Sequence, residues 1–321
     1  MTTILLTGGA GYIGSHCVKR LMENGYKVVV LDNLSRGFRD AVLASDFIEG
    51  SIGDRKILEK IFSDYKIDAV MHFSAFAYVG ESVEKPAEYY ENNVAQTLTL
   101  LTACKDFNIK NFIFSSTCAT YGDVKKIPID ETTPIAPLNP YGHSKRMVEL
   151  ILKDFDTAYN LKYCIFRYFN AAGCDPEGKL SERHNPETHL IPLVLQVAKG
   201  QRENIKIFGT DYPTPDGTCI RDYIHVNDLS DAHILGLENL LNGGDSDIFN
   251  LGSENGFSVR EVIDICREVT GGEIPEVEVE RRPGDAPKLV ADSTKAKTVL
   301  GWNPKSSNLK YIVETAWNSM K

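Results

Sequence analysis

The chain has 321 residues, 42% hydrophobic, 25% charged and 9% aromatic, a globular composition long enough for one large α/β domain or two modest ones. Thirty-five Lys and Arg against 44 Asp and Glu leave a formal charge of -9, so no overall field favours nucleic acid or an anionic membrane, and neither is expected as a partner. Seven cysteines without a CxxC pair fit reduced thiols in a cytoplasmic protein, and the absence of a leader-like segment or of a run near 18 apolar residues speaks against secretion and membrane spanning.

In chain order, short apolar runs alternate with segments of helical periodicity. The runs are Ile4 to Leu6, Val28 to Leu31, Phe47 to Ile48, Ala69 to Phe73, Phe112 to Phe114 and Tyr163 to Phe169. Near-continuous hydrophobicity marks strands covered on both faces, and the alternation predicts parallel βαβ units in a doubly wound, Rossmann-like α/β sheet. A nucleotide-binding domain is expected over residues 1–170 and a smaller α/β substrate domain over 171–321. The second opens in long polar loops, Asp175 to His189 and Asp211 to Gly217, of the kind that carry function. Strands at Asp222 to Val226 and Ile248 to Gly252 are expected to return to the first sheet and interleave the two.

The first strand runs into Gly8-Gly9-Ala10-Gly11-Tyr12-Ile13-Gly14, then a helical pattern, a second strand, and Asp32 at its end. A glycine cluster alone can be only a turn. Here strand, glycines, helix and acid come in the order a dinucleotide requires: Gly8 for the turn, Gly11 for approach of a pyrophosphate, Gly14 for close helix packing. Asp32, 18 residues beyond Gly14, suits a ribose diol and repels a 2′-phosphate, which selects NAD over NADP.

Further along, Asn111-Phe-Ile-Phe-Ser-Ser-Thr117 reads as a strand that ends in hydroxyls at the ligand-binding edge of a parallel sheet. Two Tyr and Lys pairs stand four apart. Tyr121 and Lys125 fall in a turn before Pro128, where the two need share no face. Tyr141 and Lys145 follow Asn139-Pro140, an N-cap and a Pro at the first helical position, and lie on one helix face. A phenol with an ordinary pKa near 10 needs a drop of roughly three units, about 4 kcal/mol, to work as a base near neutrality, and a neighbouring ammonium with an oxidised nicotinamide can provide it.

Thr7-Gly-Gly-Ala-Gly-Tyr-Ile-Gly14, Phe114-Ser-Ser-Thr-Cys-Ala-Thr-Tyr-Gly122, Asn139-Pro-Tyr-Gly-His-Ser-Lys145 and Arg167-Tyr-Phe-Asn170 together resemble the extended short-chain dehydrogenase/reductase superfamily, in its branch that processes nucleotide sugars. Within that branch the chain is similar to the UDP-glucose 4-epimerase family. Tyr90-Glu-Asn-Asn-Val94, Arg221-Asp-Tyr-Ile-His-Val226 and Arg281-Arg-Pro-Gly-Asp285 extend the likeness over essentially the whole chain.

The resemblance implies reversible 4-epimerisation of UDP-glucose and UDP-galactose through a transient 4-keto sugar, with the hydride held by tightly bound NAD. Tyr141 then takes the 4-hydroxyl proton, Lys145 holds the nicotinamide ribose and lowers the phenol pKa, and Thr117 assists. The implied cofactor contacts are Gly8, Gly11, Tyr12, Ile13, Gly14, Asp32, Asn33, Ser35, Ser51, Ile52, Phe73, Ala75, Asn92, Ser115, Lys145, Tyr168 and Phe169. For the UDP-sugar they are Thr117, Asn170, Leu190, Phe208, Arg221, Tyr223, Arg282, Asp285 and Leu289, with the two arginines on the diphosphate. A homodimer is implied through helices near 86–106 and 140–158. His72, His143, His189 and His225 show no metal-ligand spacing, so no metal is assigned.

Three positions depart from the pattern or leave it open. Ser51 stands where an Asp often binds the adenine amino group, Thr117 where many relatives carry Ser, and Leu289 where the sugar C2 substituent is bordered, so N-acetylated substrates stay open. A nucleotide-sugar 4,6-dehydratase would need an Asp-Glu pair directly after Thr117, where Cys118-Ala119 stand. A UDP-glucuronate decarboxylase would need a carboxylate-binding arrangement that is not recognised. A non-catalytic NAD-binding sensor tends to lose the Tyr and Lys that are both present here.

Overall fold

A computed structural model describes residues 1–282 and 285–321. In chain order it contains β1 (Thr3–Thr7), α1 (Tyr12–Glu23), β2 (Lys27–Asp32), β3 (Asp46–Glu49), α2 (Arg55–Asp64), β4 (Ala69–His72), α3 (Val79–Glu84), α4 (Pro86–Tyr90), α5 (Gln96–Asp106), β5 (Asn111–Ser115), α6 (Pro140–Tyr159), β6 (Lys162–Tyr168) and β7 (Asn170–Ala172). There follow α7 (Leu190–Ala198), β8 (Ile205–Phe208), β9 (Ile220–His225), α8 (Val226–Leu241), β10 (Asp247–Leu251), β11 (Gly256–Ser258), α9 (Val259–Thr270), β12 (Glu276–Val279), β13 (Lys288–Leu289), α10 (Thr294–Leu300) and α11 (Leu309–Ser319).

Seven parallel strands form the main sheet in the order β10-β6-β5-β4-β1-β2-β3. The apolar runs are buried because helices cover both faces. On one side Cys17, Val18 and Leu21 of α1 pack with Leu229, Ala232 and Leu237 of α8. On the other, Leu58 and Ile61 of α2, Leu100 and Leu101 of α5, and Val148 and Leu152 of α6 meet Leu5, Val29, Val70 and Phe112. The strand order reverses between β1 and β4, and in such sheets ligands occupy the crevice beyond the strand carboxyl ends at that switch point. Gly8 follows β1 there and Phe73 follows β4.

A second core gathers Ile191, Val194 and Leu195 of α7, Val262 and Ile263 of α9, and Ile312 and Val313 of α11. Of the two strands expected to return to the first sheet only the later one does. Residues 220–225 instead build a small separate sheet with β7, β11 and β13, and it is α8 and β10 that rejoin the main sheet. All seven cysteines are free. Among the described residues no helix is long and apolar enough to cross a membrane.

Candidate active site

The glycine loop fits a diphosphate. Gly8 has φ +79, and a Cβ there would lie 2.5 Å from Ser74 N. At Gly14 a Cβ would sit 2.1 Å from the Gly8 carbonyl oxygen, whereas at Gly11 it would meet only that oxygen at 3.4 Å and otherwise project into open space. Gly11 is the N-cap of helix α1, which has no side-chain cap and no acidic residue in its first turn. Its first amides and positive dipole end therefore face the loop, the condition for an anion. Gly14→Ala is expected to push α1 off the loop, to cost about 1–3 kcal/mol by overpacking, and to yield protein without bound NAD. Melting temperature and the nucleotide released on denaturation check this; a full NAD complement would contradict it.

Asp32 is buried at the end of β2 and accepts from Ala10 N at 2.9 Å and Leu34 N at 2.8 Å. Burial pushes its pKa up against those two amides. With Asn33, Ser35, Ile52, Phe73, Ala75 and Asn92 it lines the crevice beside the glycine loop. Arg36 lines it too, but its guanidinium is clamped on both oxygens of Glu81 at 2.7 Å, so the nearby cation that a 2′-phosphate would need is already engaged. Ser51 lines an adjoining groove. Its hydroxyl donates to Gln96 Oε1 at 2.8 Å and accepts from Gly53 N at 3.0 Å.

Asn92 lies in a π-helical turn over 91–95, a local widening common at functional sites. Its neighbour Asn93 ties the site together, accepting from Phe76 N at 2.8 Å and donating to Ser144 Oγ of α6 at 3.0 Å. Asn93 escaped the sequence reading because its partners lie in two other elements.

Asn139 caps α6 by accepting from Gly142 N at 2.9 Å, which fixes the start of the helix and turns Tyr141 and Lys145 inward. Both are buried, at 8% and 4% exposure. Lys145 Nζ donates to the Ser115 carbonyl at 2.7 Å and lies 4.9 Å from the Phe114 ring. Thr117, Ser115, Tyr168 and Phe169 share one cleft with Tyr141, Lys145 and Tyr12, Ile13 and Gly14 of the glycine loop. Tyr121, of the rival pair, is instead a core residue that donates to Asn250 Oδ1 at 2.7 Å.

In the protein without its cofactor, burial, then Tyr168, raises the Tyr141 pKa well above its ordinary value, while Thr117 acts the other way. Lys145 is pushed down to about 7 by burial against the pull of Glu149.

The cleft continues past Asn170 into a second of about 460 Å³, lined by Leu190, Phe208, Arg221, Tyr223, Arg282 and Asp285, with Arg202 and Lys206 as further cations. Arg221 donates to the Ala286 carbonyl at 2.8 Å and stands 3.5 Å from Asp285. Arg282 lies over the Phe208 ring at 3.8 Å. Leu289 packs beside Phe169 in a cluster with Tyr121, Ile129 and Ala291; Phe169, not Leu289, is the member of that cluster lining the cleft. Pro283 and Gly284 of the arginine motif lie outside the described residues.

In the polar loop before α7, expected to carry function but without residues assigned to the site, Glu182 and His189 line both clefts. Glu182, His184, Glu187 and His189 converge there, so the histidine spacings in the sequence understated what the fold assembles. Burial pushes Glu182 up to about 8.

The sequence model of the NAD dependent epimerase/dehydratase family matches residues 4–252. The chain is 54% identical over 315 residues to a UDP-glucose 4-epimerase of Halalkalibacterium halodurans, covering 98% of this chain and 94% of that one. Its fold is similar to UDP-glucose 4-epimerase from Brucella ovis in complex with NAD, at 47% identity and a TM-score of 0.97 over 99% and 98% of the two chains. It is similar as well to UDP-glucose-4-epimerase from Stenotrophomonas maltophila with bound NAD and formylated UDP-arabinopyranose, at 36% identity and a TM-score of 0.96 over 99% and 98%.

Proposed function

The chain belongs to the NAD dependent epimerase/dehydratase family, and from that premise we infer that it interconverts UDP-glucose and UDP-galactose by reversible epimerisation at C4 through a transient 4-keto sugar. The observation that carries this is the meeting of Tyr141, Lys145 and Thr117 in one cleft, between the glycine loop and the arginine-lined cleft. When bound, NAD supplies what no side chain can, acceptance of hydride from C4 and its return, and so drops out of the net equation.

Residues 1–170 with α8 and β10 hold the dinucleotide, and the remaining elements hold the UDP-sugar. Gly11 and the α1 amides take the diphosphate of NAD, Asp32 its ribose diol, and Lys145 the nicotinamide ribose. Tyr141 takes the proton of the 4-hydroxyl and gives it back, with Thr117 hydrogen-bonded to the same oxygen. Arg221 and Arg282 bind the UDP diphosphate. Burial raises the Tyr141 pKa in the protein alone, and the positive charge of oxidised nicotinamide together with Lys145 would act to lower it. Cys118 follows Thr117 where a dehydratase needs a carboxyl group, and burial pushes its thiol up to about 12, which disfavours proton transfer there.

Purified protein given UDP-galactose without added NAD is expected to form UDP-glucose, read by chromatography. A 4-keto-6-deoxy or decarboxylated product from another nucleotide sugar would move the assignment to a rival chemistry. Arg282→Ala is expected to weaken UDP binding by roughly 10- to 100-fold, about 1.5–3 kcal/mol for one charge-assisted contact; calorimetric titration with UDP checks this, and unchanged affinity would contradict the diphosphate role.

The chain further acts as a homodimer in the cytoplasm. Leu98 of α5 and Met147 and Leu150 of α6 are exposed apolar residues on the two helices in question, and seven unpaired thiols suit a reducing compartment. Light scattering at the mass of two chains, reduced to one by Leu98→Glu with Leu150→Glu, supports the dimer; a monomeric parent refutes it.

A further inference from the structure

We propose that Glu182, His184, Glu187 and His189 bind one zinc ion in the loop that lines the two clefts. The four ligand atoms lie within 4.8 Å of one another. From Glu182 Oε1 it is 3.6 Å to His184 Nδ1 and 3.4 Å to His189 Nδ1, and from His184 Nδ1 it is 3.2 Å to Glu187 Oε2. Four ligands at about 2.0–2.1 Å around a tetrahedral centre stand ~3.3 Å apart. These three distances scatter about that edge length, and His189 Nδ1 to Glu187 Oε1 is shorter, at 2.8 Å.

A second observation points the same way. The Glu182 side chain is 3% exposed, and neither carboxylate oxygen has a hydrogen-bond partner among the described residues. A buried carboxyl without donors either keeps its proton, as burial favours here, or gives it up where a cation meets the need of both oxygens. Glu187 is held differently: its Oε1 accepts the amides of Thr188 and His189, both at 2.8 Å, which orients the group, and its two oxygens pair with His189 Nδ1 at 2.8 Å and His184 Nδ1 at 3.2 Å, contacts that the ion would replace. Two imidazoles with two carboxylates favour zinc over calcium or magnesium, which take oxygen ligands.

With four protein ligands such a centre is closed, a structural one. His184 stacks edge-on with Tyr12 of the glycine loop at 5.9 Å between ring centres, and His189 adjoins Leu190 at the start of α7. The ion would fasten the loop to the cofactor side and hold α7 in place beside the UDP cleft.

The test is made on the purified full chain with its NAD, dialysed against metal-free buffer and titrated with Zn2+, or with Co2+ as a spectroscopic stand-in. One zinc per chain, an intense four-coordinate cobalt absorption displaced by zinc, and a melting temperature lowered by chelator are expected. Glu182→Gln and His184→Ala should each weaken zinc affinity by about 100-fold or more. Absence of stoichiometric zinc uptake, a cobalt spectrum of the weak six-coordinate kind, or variants that hold zinc as tightly as the parent would each overturn the proposal. Should both variants fail to fold, the cobalt spectrum of the parent decides it.

Discussion

Tyr141→Phe is expected to lower turnover by roughly 10²- to 10⁴-fold, the usual worth of a positioned general base, while leaving the fold and the bound NAD in place. The ring is buried and is kept by the substitution, so packing changes little. The glycine loop, Asp32 and Lys145 are untouched, so NAD retention should match the parent. What is lost is the acceptor for the 4-hydroxyl proton. Thr117 cannot replace it, because a hydroxyl beside a carbonyl oxygen hands on a proton only if another group takes it. KM should move little, since the UDP contacts lie beyond Asn170, and a fall in kcat with KM unchanged marks an interaction made in the transition state. Turnover close to that of the parent would remove Tyr141 from the chemistry.

The largest loss of stability is expected at Glu149. Its Oε1 accepts from Ser116 Oγ at 2.7 Å and Arg167 Nε at 2.9 Å, and its Oε2 from Arg167 Nη2 at 2.7 Å and Arg146 Nη1 at 3.0 Å. Both Glu149 and Arg167 are 2% exposed, and Arg167 Nη1 also donates to the Tyr121 hydroxyl at 3.1 Å. Glu149→Ala leaves a guanidinium buried with its main counter-charge gone, a situation that costs about 3–5 kcal/mol. Denaturant unfolding should show that drop, with Glu149→Gln losing less because it keeps acceptor and donor atoms. Ser116 and Thr117 continue from β5, and Lys145 lies one helical turn before Glu149, so turnover in the surviving folded fraction should fall as well. A melting curve unchanged in Glu149→Ala would mean that the pair contributes nothing net.

The cofactor half of the site was legible because each of its signals is local. Gly8, Gly11 and Gly14 are spacings within one loop, Asp32 ends the next strand, and Asn139, Tyr141 and Lys145 belong to one helix whose cap fixes which face turns inward. Strand alternation likewise revealed the parallel sheet. It could not tell which sheet a late strand joins: residues 220–225 and 247–251 look alike, and only the pairing of β9 with β7 and β13 separates them. Asn93 was hidden for the same reason, since its worth comes from Phe76 and Ser144 across the π turn.

The loop over 175–189 reads as functional from the sequence, but the convergence of its side chains over 182–189 was hidden. Two glutamates and two histidines within eight residues are visible in the sequence, but their offsets match neither a helix nor a strand, and only the folded loop gathers them. Spacing likewise shows that an ammonium lies near Tyr141 without showing where it points, and in the fold Lys145 donates to the Ser115 carbonyl.

The central claim is that hydride leaves C4 and returns to the same carbon within one closed site. It is tested most directly with UDP-galactose carrying deuterium at C4, incubated with the purified protein and no added NAD. UDP-glucose that keeps the deuterium at C4 is the expected product. Loss of the label to water, or no conversion by protein that carries its NAD, would contradict the account.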